Sequence, residues 1–401
     1  MALRRNRDFL LLQAGQLLSS VGSSFSSVAY PLLVLSLTHS APQAGLAAFA
    51  RLLPSPLLGL LAGVAADRWD RRRIMLAADA GRALALAVLT AVVAFDPVYW
   101  PIPLLAFAEG AGDAFFGASA PGAIRAVVPA EELPTAVSVQ QGRSAAGGVV
   151  GPPLGGALFG LGRAVPFAAD AASYAFSFAS LLAMRAPFQQ PRERYALRLR
   201  AQLAEGFRFL WRQPFLRTTA LLYAVGNFTI PAFLFTLVVV ARRHGFSGGE
   251  IGVLLAIFSA FVLLGSLSSS FARNRLSVRT IVLAELYAGT AVLAFAAWPN
   301  VYVLAAALLP QAIVLPITDS VVIGRRIAIT PDRLLGRVEA VRTTLARTAQ
   351  PLGPLAAGLL LGSVSGRATV AIFAAFSVGL AVCGTASRAL RTPPPLAEIS
   401  A

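Results

Sequence analysis

Lysine is absent from the 401 residues, so all 34 basic positions are arginine. Without lysine no phosphate-binding loop of the Walker kind can form. Cysteine occurs once, at Cys383, and histidine twice, at His39 and His244. This excludes an intramolecular disulfide and a Cys/His metal site. Charge is scarce overall: 13% of residues, against about 25% in an average soluble domain. An ordinary water-soluble fold is therefore excluded. No Ser/His/Asp set, metal cluster or cofactor fingerprint is evident, so neither an enzyme nor a cofactor carrier is expected.

What fills the chain instead is hydrocarbon, with 57% of residues hydrophobic. Apolar runs recur near 9–37, 44–66, 74–95, 101–122, 134–160, 164–185, 215–241, 249–271, 278–298, 301–324, 337–362 and 366–387. Each is long enough to cross a bilayer core about 30 Å thick, which takes roughly 20 helical residues. The runs are continuously apolar and lack the alternation of a barrel strand, so they predict helices. The basic start Arg4-Arg5-Asn6-Arg7 precedes an apolar run too long for a cleaved leader, and it is read as the first helix.

A net charge of +16 raises the question of nucleic acid, and the placement of the arginines answers it. With both ends inside, arginines crowd the cytoplasmic segments, while Arg163, Arg242, Arg243 and Arg367 fall in external loops. That is the positive-inside pattern. The excess is expected to set orientation in the inner cell membrane and to meet lipid headgroups, with no nucleic-acid partner. The expected architecture is an all-α membrane protein of twelve transmembrane helices, acting as a monomer.

The chain also repeats itself. The offset that lays Pro129 on Pro331 also lays Leu133 on Leu335, Gly151 on Gly353, Pro152 on Pro354, Gly63 on Gly265 and Arg71 on Arg273. One offset serving two separated regions points to a duplicated six-helix unit. The implied division is an N-terminal bundle over 1–186, a cytoplasmic linker over 187–214, a C-terminal bundle over 215–390 and a tail over 391–401. Within the linker, Leu199, Leu203, Phe207 and Leu210 recur at helical spacing among Arg192, Arg194, Arg198, Arg200, Arg208 and Arg212. This predicts a basic amphipathic helix on the inner membrane surface; the plainer reading is a solvated tether.

Between the second and third runs stands Gly63-Val-Ala-Ala-Asp67-Arg68-Trp-Asp70-Arg71-Arg72-Arg73. The glycine is expected to allow close helix approach, and Asp67 at a membrane boundary needs cationic partners. Here the chain resembles the major facilitator superfamily, whose corresponding loop reads Gly-x-x-x-Asp-Arg-x-x-Arg-Arg. The resemblance implies two pseudo-symmetric six-helix bundles. It also implies a conformational switch at Gly63, Asp67, Arg68, Arg71 and Arg72, with the Asp near the start of helix 11. In the second half Ser269 stands where the Asp would be, so a strong switch is expected on one side only.

A second motif, Gly147-Gly-Val-Val-Gly151-Pro152-Pro153-Leu-Gly155-Gly156 in the fifth run, resembles the Gly-x-x-x-Gly-Pro-x-x-Gly-Gly pattern of the antiporter branches. Glycines four apart favour backbone-to-backbone packing and Pro152 favours a bend. Ala50-Arg51-Leu-Leu-Pro54, Asp79-Ala-Gly-Arg82 and Glu205-Gly-Phe-Arg-Phe-Leu-Trp are similar to the macrolide-efflux and siderophore-exporter-like branch of drug:proton antiporters. Many proton-coupled drug exporters of the superfamily carry an Arg in helix 4. Here that helix holds Glu109 and Asp113, and Arg143 lies in helix 5.

An ionisable group inside a span is expensive and by default functional. Glu109 and Asp113 share a helix face roughly 12 and 18 Å from the outer boundary and are expected to repel, making them the first candidates for proton coupling, with Arg125 and Arg143 as counter-ions. Asp319 is a third candidate, Glu285 a further acidic group, and Arg51, Asp79 and Arg82 read as a structural charge cluster. By the family's arrangement of helices 1, 4, 7 and 10, Gln16, Ser23, Asn227 and Gln311 would face substrate.

The expected function is a secondary active transporter that couples protons to efflux of a hydrophobic or amphipathic small molecule, such as an antibiotic, drug or siderophore. The alternatives are a symporter or facilitator importing a polar nutrient, and a non-transporting membrane sensor.

Overall fold

The computed structural model describes residues 6–186, 188 and 199–391. The described chain is helical with no strand. In order it comprises α1 (Arg7–Thr38), α2 (Ala41–Leu52), α3 (Pro54–Arg68), α4 (Arg71–Phe95), α5 (Pro101–Val127), α6 (Leu133–Leu161) and α7 (Val165–Ala183). There follow α8 (Leu199–Arg212), α9 (Pro214–Arg243), α10 (Gly248–Arg275), α11 (Val278–Ala288), α12 (Leu293–Ala297), α13 (Val301–Ile329), α14 (Asp332–Ala349), α15 (Leu352–Ser363), α16 (Gly366–Ala386) and α17 (Arg388–Arg391).

Every apolar run of the sequence coincides with helix, but three are broken. The second run splits at Leu53, ahead of Pro54, which supplies no amide hydrogen to continue the ladder. The ninth passes through a 3-10 turn over Gly289–Val292, and the eleventh breaks between Ala349 and Leu352 at Pro351. Among the described residues, ten helical segments are long and apolar enough to cross a membrane. Of the expected twelve spans, α5 and the pair α14 and α15 fall outside that set. The first carries Glu109, Asp113 and Arg125. The second begins with Arg333, Arg337, Glu339, Arg342 and Arg347, so the expected apolar run over 337–362 is corrected to a polar helix followed by a short apolar one.

The chain forms two compact units, Met1–Tyr195 with Ala241–Ala256, and Ala196–Val240 with Ile257–Ala401. In the first, α1 packs on α6 and α7, α4 on α5 and α7, and α5 on α2 and α3. Its ends are tied by polar contacts. Asp70 caps α4 by accepting from the Arg73 amide at 2.9 Å, and Asp8 accepts from the Ala186 amide at 2.7 Å. The Arg72 guanidinium donates to the carbonyls of Leu181, Leu182 and Met184 at 3.1, 2.9 and 2.7 Å. These are carbonyls at the C-terminal end of α7, which have no partner within the helix.

Small residues set the closest approaches. Side chains at Gly147, Gly151 and Gly155 of α6 would press on Ser20, Ser24 and Phe25 of α1. On the neighbouring face of α6, a side chain at Gly156 would collide with Gly248, and one at Gly252 with Pro152. In the second unit Gly353 lies against the Phe228 carbonyl of α9, the counterpart of Gly151 on α1. Gly63 differs from the expectation: a side-chain carbon there would meet no atom within 4 Å, so its role as a close-packing glycine is corrected.

Helix α8 belongs to the second unit. Leu203 and Leu210 pack with Phe215, Leu334, Val338 and Val341, and Glu205 pairs with Arg337. The linker helix is thus docked on α14, which corrects the solvated-tether reading. Its other face keeps Phe207 and Trp211 exposed and stacked at 5.2 Å. Residues 187 and 189–198 of the expected linker, with Arg192, Arg194 and Arg198, and residues 392–401 of the tail lie outside the described residues.

Candidate functional site

The densest polar cluster inside the first unit starts from the break between α2 and α3. Pro54 interrupts the ladder, and the Arg51 carbonyl beside the break rests against α5 where Gly110 has no side chain. This closeness brings the Arg51 guanidinium onto the adjacent Glu109. Nη2 donates to Oε1 at 2.7 Å and Nε to both carboxylate oxygens at 3.2 Å. Glu109 is buried and receives a further, longer contact from the Tyr174 hydroxyl at 3.4 Å. Tyr174 in turn shares a hydrogen bond with Ser23 at 2.8 Å, and the Arg51 guanidinium stands 5.8 Å from the Tyr30 ring.

A second ion pair lies on α4. Arg82 pairs with Asp79 three residues earlier, and Asp79 accepts from Ser177 of α7 at 2.7 Å. The Arg82 guanidinium sits between the rings of Tyr174 and Phe116, 4.2 and 4.6 Å from their centroids. It has room because Gly112 presents no side chain to it. Both Asp79 and Arg82 are buried, so the cluster depends on these pairings to offset desolvation.

Three expectations are corrected by this geometry. Glu109 and Asp113 do not form a repelling pair: Glu109 is held by Arg51, whereas Asp113 is 74% exposed and lies 3.7 Å from Arg82. Arg51, Asp79 and Arg82 are not one cluster but two ion pairs on either side of Tyr174. Arg143 is not a counter-ion, since it donates to Gln13 and Gln16 at 3.1 and 2.5 Å. The same contact places Gln16 inside the unit. Ser23 is likewise turned inward, donating to the Ser19 carbonyl at 2.8 Å.

Sequence reasoning missed Asp170 of α7. It is fully buried and accepts from the Ser26 hydroxyl at 2.5 Å and from Ser173 at 3.1 Å. A charged residue inside the sixth apolar run was a legible warning, but its partners are serines, Ser26 on α1 and Ser173 on α7, which carry no pattern.

In the second unit a small cavity of about 40 Å³ is lined by Glu285, Gln311, Thr318, Tyr223 and Ser377 among others, enough for a water or two. Asp319 faces Tyr223, Arg342 and Arg326. The Tyr223 hydroxyl is buried beside Asp319. Glu339 bridges Arg326 and Arg342, each at 2.6 Å. Asn227 donates to the Tyr223 carbonyl of its own helix at 2.9 Å rather than to a cavity.

Between α3 and α4, Asp67 lies 3.6 Å from Arg71, and Arg71 donates to the Ala66 carbonyl at 3.0 Å. Arg71 is laid over Gly122 of α5. Asp70, rather than Asp67, serves as the helix cap.

An all-helical, duplicated membrane fold with ion pairs buried inside its helices defines the class of polytopic membrane transporters. The model of the Major Facilitator Superfamily matches residues 14–284 and 226–401, and the chain belongs to that superfamily as a secondary transporter. It is 30% identical over 399 residues to the multidrug efflux pump Tap of Mycolicibacterium fortuitum, covering 94% of this chain and 93% of that protein. It is also similar to macrolide efflux protein A of Streptococcus pyogenes, with 29% identity over 38% of each chain. Among solved structures, a bacterial homologue of the iron transporter ferroportin in its inward-facing state shares the fold, with a TM-score of 0.73, 17% identity and coverage of 96% and 99%.

Proposed function

We propose that this transporter exports hydrophobic or amphipathic small molecules of the multidrug kind, driven by protons and working by alternating access. The observation that carries the reading is the charged network buried in the first unit of a chain whose near-full-length relative is a multidrug efflux pump. Buried carboxylates beside guanidinium groups are costly inside a bilayer and are retained where protons or ions must be handled. Proton binding changes the charge of the bundle, so two orientations of the halves bind protons and substrate unequally; without such a difference neither would shift the equilibrium. In this reading Asp67 and Arg71 control the change of orientation and the Gly147–Gly156 motif permits it. The protein sits in the inner membrane with both ends cytoplasmic and acts as a monomer.

The test is accumulation of ethidium by everted vesicles. Uptake that follows an imposed proton gradient and collapses with a protonophore is expected. Vesicles holding the protein that accumulate no more ethidium, tetracycline or macrolide than empty ones would overturn the export reading. Uptake of a polar nutrient by intact cells would favour import instead.

A further inference from the structure

Asp170 is the one buried carboxylate of the first unit that forms no ion pair among the described residues. Arg51 is engaged by Glu109, and Arg82 by Asp79 with the exposed Asp113 beyond. The groups around Asp170 can be named helix by helix. From α1 come Ser26 and Tyr30, from α2 Arg51, from α5 Glu109, and from α7 itself Ser173 and Tyr174. The nearest arginine of α6, Arg143, is committed to Gln13 and Gln16. Arg51 and Arg82 are each matched by a carboxylate, Glu109 and Asp79, so Asp170 is left without a cation of its own among the described residues. A leftover charge in a protein interior is removed most cheaply by a proton.

The room for Asp170 is purpose-made. A side chain at Gly22 of α1 would run into the Asp170 carboxylate and Ser173, so only glycine lets the two helices close over it.

The other half of the molecule shows that the fold itself does not require an acid here. At the offset that relates the halves, Ser26 corresponds to Phe228, Asp170 to Ile372 and Tyr174 to Phe376. There Phe228 packs on Phe373 and Phe376 at 5.8 and 6.0 Å. Where the second unit fills the contact between its equivalent helices with aromatic rings, the first places a carboxylate and hydroxyls.

We propose that Asp170 is the residue that takes up and releases the transported proton, with Ser26 as its hydrogen-bond partner in both states. This inference rests on the proton-coupled reading above and names its site. In the neutral state the carboxylic O–H donates to Ser26. In the charged state the Ser26 and Ser173 hydroxyls donate to the carboxylate, and the proton has passed to water. Ionisation also draws on Arg51, which then serves Glu109 and Asp170 together. Because Arg51 stands at the break between α2 and α3, the charge of Asp170 acts on the helix that leads into the Asp67 loop. On the proposed orientation α7 begins outside, and Asp170 lies about 8 Å along it at 1.5 Å per residue, within reach of external protons.

Two measurements on the whole protein test this. Infrared difference spectra of the purified transporter between acid and alkaline pH should show a carboxylic C=O band that Asp170→Asn lacks and Asp113→Asn keeps. Ser26→Ala should move the midpoint of that band without removing it, which keeps the test open if Asp170→Asn folds poorly. In everted vesicles, ethidium accumulation by Asp170→Asn should fall to the protonophore-treated level while ethidium exchange without a gradient persists. A full set of titrating bands in Asp170→Asn, or wild-type accumulation by it, overturns the proposal. A wild-type protein that ignores the proton gradient defeats the coupling reading instead, and leaves the infrared result to stand alone.

Discussion

The carbonyl of Arg51 occupies the space that a side chain on Gly110 would need. A helix break on one element and a missing side chain on another thus fit together, and the ion pair next to them depends on the fit. Gly110→Val should push α5 from the break and separate Arg51 from Glu109. Overpacking of this kind costs about 1–3 kcal/mol, and losing the ion pair adds to it. The unfolding midpoint in detergent should fall clearly below that of a Gly117→Val control, since a side chain at Gly117 meets open space.

The Arg51–Glu109 pair itself should show strong non-additivity. Glu109→Leu leaves a guanidinium facing the bundle without its carboxylate, a change that costs about 3–5 kcal/mol when the pair is buried. The lower end is expected because the Arg51 side chain is 20% exposed. Removing both, with Arg51→Leu and Glu109→Leu, should cost less than either alone. Additive thermal shifts would show that the pair is not a unit.

Asp67→Asn should leave insertion and thermal stability unchanged while slowing turnover, because Asp67 is half exposed and, on the proposed reading, controls the change of orientation. Gly63→Ala should be silent in stability, given the open space around it. Initial rates of ethidium uptake in everted vesicles, normalised to protein, provide the check; an Asp67→Asn protein as fast as wild type removes Asp67 from the switch.

Arg72→Gln should loosen one place in particular. The Arg72 guanidinium holds the carbonyls of Leu181, Leu182 and Met184, and contacts of this kind stabilise a helix end by about 1–2 kcal/mol in total when solvent is near. Amide exchange should quicken over 181–186 and remain unchanged in the middle of α1. Uniform exchange across the bundle would contradict the anchoring role.

The sequence made the course of the chain legible because a bilayer leaves little choice. All twelve apolar runs coincide with helix, though three are broken, and the breaks at Pro54 and Pro351 stand at prolines that could be read in advance. The charged loop between α3 and α4 was legible for the same reason, as charges at a membrane boundary are rare. Partnership was not legible. Spacing put Glu109 and Asp113 on one face, yet the break at Pro54 brought in Arg51 from another helix. A single turn of rise was enough to expose Asp113. Asp170 was passed over because its neighbours are Gly22, Ser26 and Ser173, small residues whose meaning appears only when α1 and α7 lie together. Gly63 failed in the opposite direction: a motif glycine need not be a packing glycine.

The mismatch between the halves at Ser26 and Phe228 bears on how such a chain can diversify. The rings of Phe228, Phe373 and Phe376 close this contact with hydrocarbon alone, so the carboxylate of the first unit is an addition that the meeting of the two helices does not need. A fusion of two second-half copies should therefore lack a carboxylate at this contact in both copies while keeping Glu285 and Asp319.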